Sequence, residues 1–171
     1  MADQGRLEPL APSSFFEDGR SARSIPAGTV ARGQLREDQH FYRGIQDGKP
    51  AATFPLEITR DVLQRGRQRY NIFCAPCHDR TGAGRGIVAV RGFERLPASF
   101  HEARLREAPP GYFYGVIANG FGLMNDYAAQ IPPEDRWAIV AYIRALQLSQ
   151  HAEVARLQEE DLQALRKVGP Q

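Results

Sequence analysis

The sequence predicts an all-α domain that is preceded by a long irregular arm and followed by a helical tail. Three observations lead to this prediction. A helical pattern of apolar residues begins at Thr59, a stronger one runs from Arg136 to about Leu148, and no segment shows the clean alternation of a half-buried strand. The longest apolar run, Trp137 to Ile143, is far shorter than the roughly 20 residues that a membrane-spanning helix requires.

Residues 1–58 form the predicted N-terminal arm. They hold five of the twelve prolines and show no sustained period of 3.6 or 2 residues. Two aromatic pairs, Phe15-Phe16 and Phe41-Tyr42, interrupt the polar background. Such a segment cannot bury enough apolar surface to fold alone. It is therefore either a disordered leader or an extended arm that docks on partner subunits, and we favour the arm.

The predicted domain covers residues 59–150. Its first helix starts at Thr59, a suitable N-cap, has Asp61 in its first turn and runs to Cys74. Beyond it, the pattern predicts a glycine-rich turn at residues 81–86 and an irregular stretch at residues 87–100. Two short helices follow, at residues 101–107 and 110–119.

Residues 151–171 form the predicted tail. Its apolar residues share one face of a helix, and they are Val154, Leu157, Leu162, Leu165 and Val168. An amphipathic helix of this kind either folds back on its own domain or docks on another subunit, and the sequence leaves both open.

Both cysteines lie in one short motif, Cys74-Ala-Pro-Cys77-His78. On a helix these three residues share one face, so two thioether bonds and an imidazole can hold a haem c from the same side. A thioredoxin-like dithiol requires a strand before the motif and a helix after it, whereas here a helix precedes and a glycine loop follows. A zinc site requires four ligands, and no second ligand pair exists. We therefore predict one covalent haem c.

Met124 is the predicted second axial ligand of the iron. Apart from Met1 it is the only methionine, and it lies 46 residues after His78 in a loop with two glycines. A thioether is a soft ligand for iron, and His/Met ligation raises the reduction potential. The competing candidates are the other histidines, first His101 and then His40 and His151.

Residues 59–150 resemble a class I cytochrome c. Gly66 and Tyr70 match the glycine and aromatic residue that this family carries before the haem motif, and Trp137 and Tyr142 are available as its aromatic partner on the last helix. The resemblance implies that the first and last helices cross closely at the glycine.

The resemblance also implies that a backbone carbonyl near Pro97 accepts a hydrogen bond from His78. The chain departs from the family at two positions. Many members have glycine directly after the haem histidine and proline directly after the axial methionine, where this chain has Asp79 and Asn125.

Two flanking stretches, DGRSARSIPAGTVARGQLRED and NGFGLMNDYAAQIPPEDRWAIVAYIRALQLSQ, resemble the monohaem cytochrome c subunit of alternative complex III. That bacterial membrane assembly oxidises quinol and passes electrons to a periplasmic acceptor. The likeness covers residues 6–150 and implies an electron carrier rather than an enzyme in its own right. Its partners would be the other subunits of the complex and a periplasmic acceptor or terminal oxidase. The alternatives are an independent soluble or tethered shuttle and, less favoured, a haem enzyme with a displaceable methionine.

The expected location is the periplasmic face of the bacterial cytoplasmic membrane. The net charge of +2 gives no indication of nucleic-acid binding. The first residues lack the apolar region of a secretory signal, yet covalent haem attachment takes place outside the cytoplasm, so we expect an export segment that this sequence does not contain. Subunits of this family are commonly lipoproteins, and no cysteine precedes Cys74. The protein would therefore be held by its partners or by a lipid anchor upstream.

Overall fold

A computed structural model describes residues 5–8, 10–153 and 157–168, with side chains described as far as residue 163. The chain divides into two units, Met1–Glu37 and Asp38–Gln171. The helices and strands of the described residues are α1 (Gln39–Arg43), β1 (Ile45–Gln46), β2 (Lys49–Pro50), α2 (Arg60–Phe73), α3 (Ala75–His78), α4 (Ile87–Gly92), α5 (Ala103–Glu107), α6 (Pro110–Asn119), α7 (Pro133–Ser149) and α8 (Glu159–Val168).

The first unit is irregular chain in its described part, as the sequence predicts. One antiparallel bridge, between Pro12 and Arg20, closes a short loop. Arg23 stabilises this loop, because its guanidinium group lies 2.8 Å from the carboxylate of Asp18 and 4.2 Å from the ring centre of Phe16. The loop is therefore held by local polar and cation–π contacts rather than by helices or a sheet.

The structure differs from the sequence-based expectation over residues 38–58, where an irregular arm is predicted. Helix α1 begins after Asp38, whose side chain accepts a hydrogen bond from the amide of Phe41, and ends at Gly44 with φ of 69°. Strands β1 and β2 then pair as an antiparallel hairpin. Their turn is Asp47-Gly48, and both residues have positive φ, as the tightest hairpin turns require.

Contacts with the helical domain explain why this segment forms a helix and a hairpin. The indole Nε1 of Trp137 donates a hydrogen bond to the carbonyl of Phe41 at 2.8 Å. The hydroxyl of Tyr114 donates to the carbonyl of Tyr42 at 3.0 Å. The aromatic pair assigned to the arm thus lies on α6 and α7, and the unit that contains the helical domain begins at Asp38.

Helices α2 and α7 form the most extensive contact between elements. Their crossing is centred on Gly66, where an added Cβ would overlap the carbonyl oxygen of Ala138 and lie 3.1 Å from the Cβ of Tyr142. The rings of Tyr70 and Tyr142 meet edge to face at 5.3 Å beside this crossing. The close approach at the glycine is therefore present, and Tyr142 is the aromatic partner, while Trp137 lies against α6 and α1.

The helix termini follow local sequence signals. Thr59 caps α2 through its side chain, which accepts from the amide of Val62. Prolines occupy the first positions of α6 and α7, where a missing N–H costs nothing. Helix α7 consequently begins three residues before the predicted Arg136. Helix α4 lies in the stretch that the sequence predicts to be irregular.

The hydrophobic core lies between α2, α6 and α7, and its largest fully buried side chains are Trp137, Tyr70, Tyr114, Ile131, Ile139 and Val140. An ion pair supports the α2–α7 contact from the side. The buried carboxylate of Asp135 lies 2.6 Å from Arg65 Nε and 3.2 Å from Arg69 Nε. The core and this pair together fix α7 against α2, the helix that leads into the cysteine motif.

Helix α8 occupies part of the predicted tail. Val154 and the side chains of Leu165 and Val168 lie outside the described residues. None of the helices in the described ranges is both long enough and apolar enough to cross a bilayer.

Candidate functional site

The cysteine motif forms a short helix directly after α2. The amide of Cys74 donates to the carbonyl of Tyr70 at 2.8 Å, which ends α2. The amides of Cys77 and His78 then donate to the carbonyl of Cys74 at 3.1 and 2.8 Å. The three residues therefore lie at positions i, i+3 and i+4 of one helical turn, as the sequence predicts.

Burial sets the protonation states of these groups. Burial first, and then the neighbouring Cys77, raise the pKa of the Cys74 thiol to about 12. Burial lowers the pKa of His78, although Asp79 opposes the shift, so the imidazole is neutral at physiological pH. A neutral imidazole is the form that binds a metal. A redox dithiol shows the opposite behaviour, because its attacking cysteine has a lowered pKa. The electrostatics thus favour a haem ligand set over a thioredoxin-like pair.

The imidazole of His78 is held by an aromatic neighbour. Its ring stacks on that of Phe100 with the centres 4.8 Å apart and the planes at 16°. Its Nδ1 atom is buried and has no hydrogen-bond partner among the described residues. The hydrogen bond to a carbonyl near Pro97, which the family resemblance implies, is therefore not formed. The Pro97 carbonyl oxygen lies beside Gly84 instead, where a Cβ added to this glycine would overlap it.

A glycine loop closes over the carboxyl end of α3. The amide of Gly84 donates to the carbonyl of His78 and that of Gly86 donates to the carbonyl of Cys77, each at 3.0 Å. A Cβ at Gly86 would lie 2.5 Å from the carbonyl carbon of Cys77, so only glycine fits. The loop thus satisfies carbonyl groups that a helix end leaves without partners.

The carboxylate of Asp79 holds this loop from inside. It accepts hydrogen bonds from the amide and hydroxyl of Thr81 and from the amides of Gly82 and Arg85, at 2.6 to 3.0 Å. Partial burial acts to raise the pKa of Asp79, but the hydrogen bonds outweigh it and lower the pKa below its ordinary value. Asp79 is therefore ionised at neutral pH.

Met124 lies in a tight turn after α6. Its amide donates to the carbonyl of Phe121 and its carbonyl accepts from the amide of Phe121, at 3.0 and 2.9 Å. Gly120 precedes the turn with φ of 76°, and a Cβ there would lie 2.5 Å from the Met124 carbonyl oxygen. The methionine is half-buried, and its backbone is fixed on both sides.

Tyr127 connects the methionine segment to the cysteine motif. Its ring centre is 6.5 Å from that of Phe73, the residue before Cys74. Burial and then the nearby Cys77 and Cys74 thiols raise the pKa of Tyr127. The side chain three residues after Met124 therefore contacts the residue that precedes the cysteine motif.

The competing histidines make other contacts, although Nδ1 of His101 is buried and has no hydrogen-bond partner in the described residues. His40 Nε2 lies 2.8 Å from the carbonyl of Thr53, and His101 Nε2 lies 2.8 Å from that of Thr81. His101 also stacks on His151 with ring centres 6.0 Å apart. Within the described ranges, no three His, Cys, Asp or Glu side chains are grouped as metal ligands. Met124 therefore stays the predicted second ligand of the iron, and the described residues contain no grouping suited to zinc.

The residues present fit a covalently held haem. Two thiols and a neutral imidazole share one turn. Large apolar side chains also remain exposed on α4, which contacts α3, and in the neighbouring segments. They are Ile72, Ile87, Val88, Val90, Phe93, Leu96, Phe121 and Leu123. Exposed apolar groups in this number indicate a ligand or partner with a large apolar surface.

Phe100 is the functional residue that sequence reasoning misses. It lies 22 residues after His78, and no local period relates the two positions. Its amide donates to the carbonyl of Gly82 at 2.8 Å, so the contact with His78 is made through the glycine loop. The only sequence signal is an isolated aromatic residue shortly after Pro97, which is too weak to predict a contact.

Comparison with known proteins finds one matching family model and similar solved structures. Residues 61–143 match the family model described as cytochrome c oxidase, cbb3-type, subunit III. A chain of the reducing HAO-like protein complex of Kuenenia stuttgartiensis is similar in structure, with 22% identity and a TM-score of 0.49. That alignment covers 63% of this chain and 54% of the other, so this chain spans about half of its length. No sequence among the curated proteins matches. The family match and the helical architecture confirm the predicted fold class, an all-α class I cytochrome c domain.

Proposed function

We propose that the chain is a one-electron carrier with a single covalent haem c, and the family match over residues 61–143 supports this proposal. Cys74 and Cys77 would hold the haem through thioether bonds, and His78 and Met124 would bind its iron. One observation carries the proposal. Two thiols and a buried neutral imidazole lie on one helical turn within the segment that matches the family model.

When bound, the haem supplies an iron that changes its oxidation state by one electron. The chain's own residues keep the ligands in place in both states. His78 is held by its main-chain bond to Cys74 and by the ring of Phe100. Met124 is held by its two hydrogen bonds with Phe121. Ligands fixed in this way move little during electron transfer, which keeps the reorganisation small.

The number of iron ligands that the chain supplies also determines which class of reaction is possible. When His78 and Met124 both bind the iron, no position remains for a substrate, and this favours electron transfer over peroxidase or oxygenase chemistry. The haem enzyme with a displaceable methionine makes the opposite prediction, a resting ferric form that is high-spin and binds cyanide readily.

We further propose that the chain is a peripheral subunit of a quinol-oxidising alternative complex III on the periplasmic face of the cytoplasmic membrane. The sequence likeness over residues 6–150 is the first support. The second is the first unit, whose described part exposes large apolar side chains, namely Leu7, Leu10, Phe15, Ile25, Val30 and Leu35. A diffusing shuttle gains nothing from such a surface, whereas a docked subunit buries it against a partner.

The haem is tested on the chain purified from its native membranes. The pyridine haemochrome spectrum should report one haem c per chain, and the intact mass should exceed the polypeptide mass by one haem and by any N-terminal lipid. The ferric protein should be low-spin and slow to bind cyanide. A colourless polypeptide with two unmodified thiols would refute the proposal.

The subunit role is tested by deleting residues 5–37 while keeping everything upstream. The deletion stops at Glu37 because the carbonyls of Phe41 and Tyr42 are bonded to the domain. The haem spectra should be unchanged, and co-purification with the quinol-oxidising activity of the membranes should fall. Unchanged co-purification would favour the independent shuttle. The same assay on a chain ending at residue 150 tests docking by the tail, residues 151–171.

A further inference from the structure

Asp79 directly follows His78 and has an unusual backbone conformation. Its φ of 56° and ψ of 174° fall in a region that is almost restricted to glycine. Many class I cytochromes c have glycine at this position, and this chain has a residue with a side chain instead. A strained residue persists only where its surroundings determine it strongly, so the carboxylate of Asp79 is expected to have a role that glycine lacks.

That carboxylate organises the glycine loop. Oδ1 accepts from the amide and the hydroxyl of Thr81, both at 2.6 Å, and from the amide of Gly82 at 2.9 Å. Oδ2 accepts from the amide of Arg85 at 3.0 Å. Four donors thus converge on one ionised group, and hydrogen bonds to a charged acceptor are stronger than those between neutral groups.

The loop in turn positions Phe100. The carbonyl of Gly82 accepts from the amide of Phe100 at 2.8 Å. Gly82 is also close to the ring, because a Cβ there would lie 2.8 Å from Cδ2 of Phe100. The ring then stacks on the imidazole of His78 at 4.8 Å. A continuous set of contacts therefore leads from the Asp79 carboxylate to the face of the imidazole.

Two further hydrogen bonds fix the backbone on either side of this path. The hydroxyl of Tyr70, which is fully buried, donates to the carbonyl of Asp79 at 2.7 Å. The amide of Gly84 donates to the carbonyl of His78 at 3.0 Å. The main chain at residues 78 and 79 therefore cannot rotate without breaking bonds to both α2 and the loop.

We propose that Asp79 is a positioning residue for His78. Its carboxylate fixes the glycine loop, the loop fixes Phe100, and Phe100 fixes the plane of the imidazole that binds the haem iron. This inference rests on the proposed function, since it concerns the orientation of a haem ligand. Two simpler roles make different predictions: Asp79 closes the loop without affecting His78, or it acts on the haem only through its negative charge.

Two substitutions separate these roles in the haem-loaded protein. Asp79→Asn and Asp79→Gly both remove the charge. Asparagine keeps an acceptor oxygen for the amides of Thr81 and Gly82 and tolerates positive φ. Glycine relieves the backbone strain but keeps no acceptor. Thr81→Ala serves as the matched control, because it removes one hydroxyl from the same loop and leaves the bonds to the amides in place.

The first readout is hydrogen exchange of the Gly82 amide. Asp79→Gly should accelerate this exchange about tenfold or more, since it removes a charge-assisted hydrogen bond. The second readout is the pattern of haem-methyl hyperfine shifts in the ferric protein, which depends on the orientation of the axial ligand planes. Asp79→Gly should change this pattern, Asp79→Asn should change it less, and Thr81→Ala should leave it as in the wild type.

Each outcome is decisive. Faster exchange at Gly82 with an unchanged shift pattern in Asp79→Gly would show that Asp79 only closes the loop. Identical shift patterns and identical midpoint potentials in Asp79→Gly and Asp79→Asn would show that only its charge matters. Either result overturns the positioning role and leaves the proposed function intact. If Asp79→Gly does not fold, Asp79→Asn must still differ from the wild type in its shift pattern. A wild-type chain without haem would overturn both proposals. The pyridine haemochrome spectrum, recorded first, identifies that case.

Discussion

The crossing of α2 and α7 makes Gly66→Ala the most informative single substitution for stability. A Cβ at this position would overlap the carbonyl oxygen of Ala138, lie 2.6 Å from its carbonyl carbon and lie 3.1 Å from the Cβ of Tyr142. The first two atoms are main chain and cannot rotate away, so the helices must separate. Separation removes dispersion contacts along the whole interface, because a gap of less than 1 Å already forfeits much of each contact.

Two effects of opposite sign determine how much Gly66→Ala changes the free energy of unfolding. Overpacking a well-packed core costs roughly 1–3 kcal/mol, and a clash with main chain belongs at the upper end. Alanine has a better helix propensity than glycine by about 1 kcal/mol. We therefore expect Gly66→Ala to lower the free energy of unfolding by about 2 kcal/mol.

The assay is urea unfolding of the haem-loaded protein, followed by far-ultraviolet circular dichroism. For Gly66→Ala, the urea concentration at the midpoint of unfolding should fall, while the slope m should stay unchanged. Gly115→Ala is the matched control: Gly115 also lies within a helix, α6, but a Cβ there would meet nothing within 4 Å. We expect Gly115→Ala to raise the free energy of unfolding by about 0.5–1 kcal/mol. If Gly66→Ala is as stable as the control, the close crossing does not exist and the packing argument is refuted.

Three other perturbations have defined outcomes. Met124→Ala should convert the ferric protein from low-spin to high-spin and allow rapid cyanide binding, as visible spectra would show; an unchanged spectrum would exclude Met124 as a ligand. Asp135→Asn should cost about 1–2 kcal/mol in urea unfolding, because it weakens charged hydrogen bonds to Arg65 that are partly exposed. The pKa of Asp79 is lowered from 3.8 in the folded state, so this group stabilises the fold above that pH, and the stabilisation is lost as the pH falls through the folded pKa. Asp79→Asn should remove this part of the acid sensitivity, and equal acid sensitivity in both proteins would contradict the assignment.

The parts of the fold that sequence predicts well are those with local signals. Thr59 and Pro110 mark helix starts through capping and proline chemistry, and both helices begin where expected. The cysteine motif carries its geometry in its spacing, since three residues of one turn need no tertiary information to share a face. These features depend on neighbours within about four residues, which a single sequence displays directly.

The parts that sequence misses depend on distant contacts. Asp38 and Gly44 are local signals for the start and the end of helix α1, but the proline-rich composition around them indicates irregular chain. The order of this helix depends on Trp137, 96 residues after the carbonyl of Phe41 that it contacts. The stacking of Phe100 on His78 depends on the closure of the glycine loop. No periodic pattern encodes such pairings, and without an alignment of relatives no covariation is available to indicate them.

The two departures from the family pattern are each balanced by a hydrogen-bond network. At the first, the carboxylate of Asp79 stabilises a backbone conformation that glycine would adopt freely. At the second, Asn125 lacks the rigid ring of proline, and the segment after Met124 requires another support. Arg136 supplies it, and the acceptors of this buried guanidinium are two backbone carbonyls and one hydroxyl.

Arg136 extends from the first turn of α7 towards the segment that follows Met124. Its Nε donates to the carbonyl of Ile131 at 2.8 Å, and a terminal nitrogen donates to that of Ala128 at 2.9 Å. The other terminal nitrogen donates to the Tyr114 hydroxyl at 3.2 Å. Three oxygen acceptors thus offset the cost of burying the charge, which an unpaired guanidinium could not bear. Two of the acceptors, the carbonyls of Ala128 and Ile131, belong to the segment that follows Met124, and the third, Tyr114, belongs to α6. The side chain of Arg136 therefore fixes the backbone after Met124 against α6.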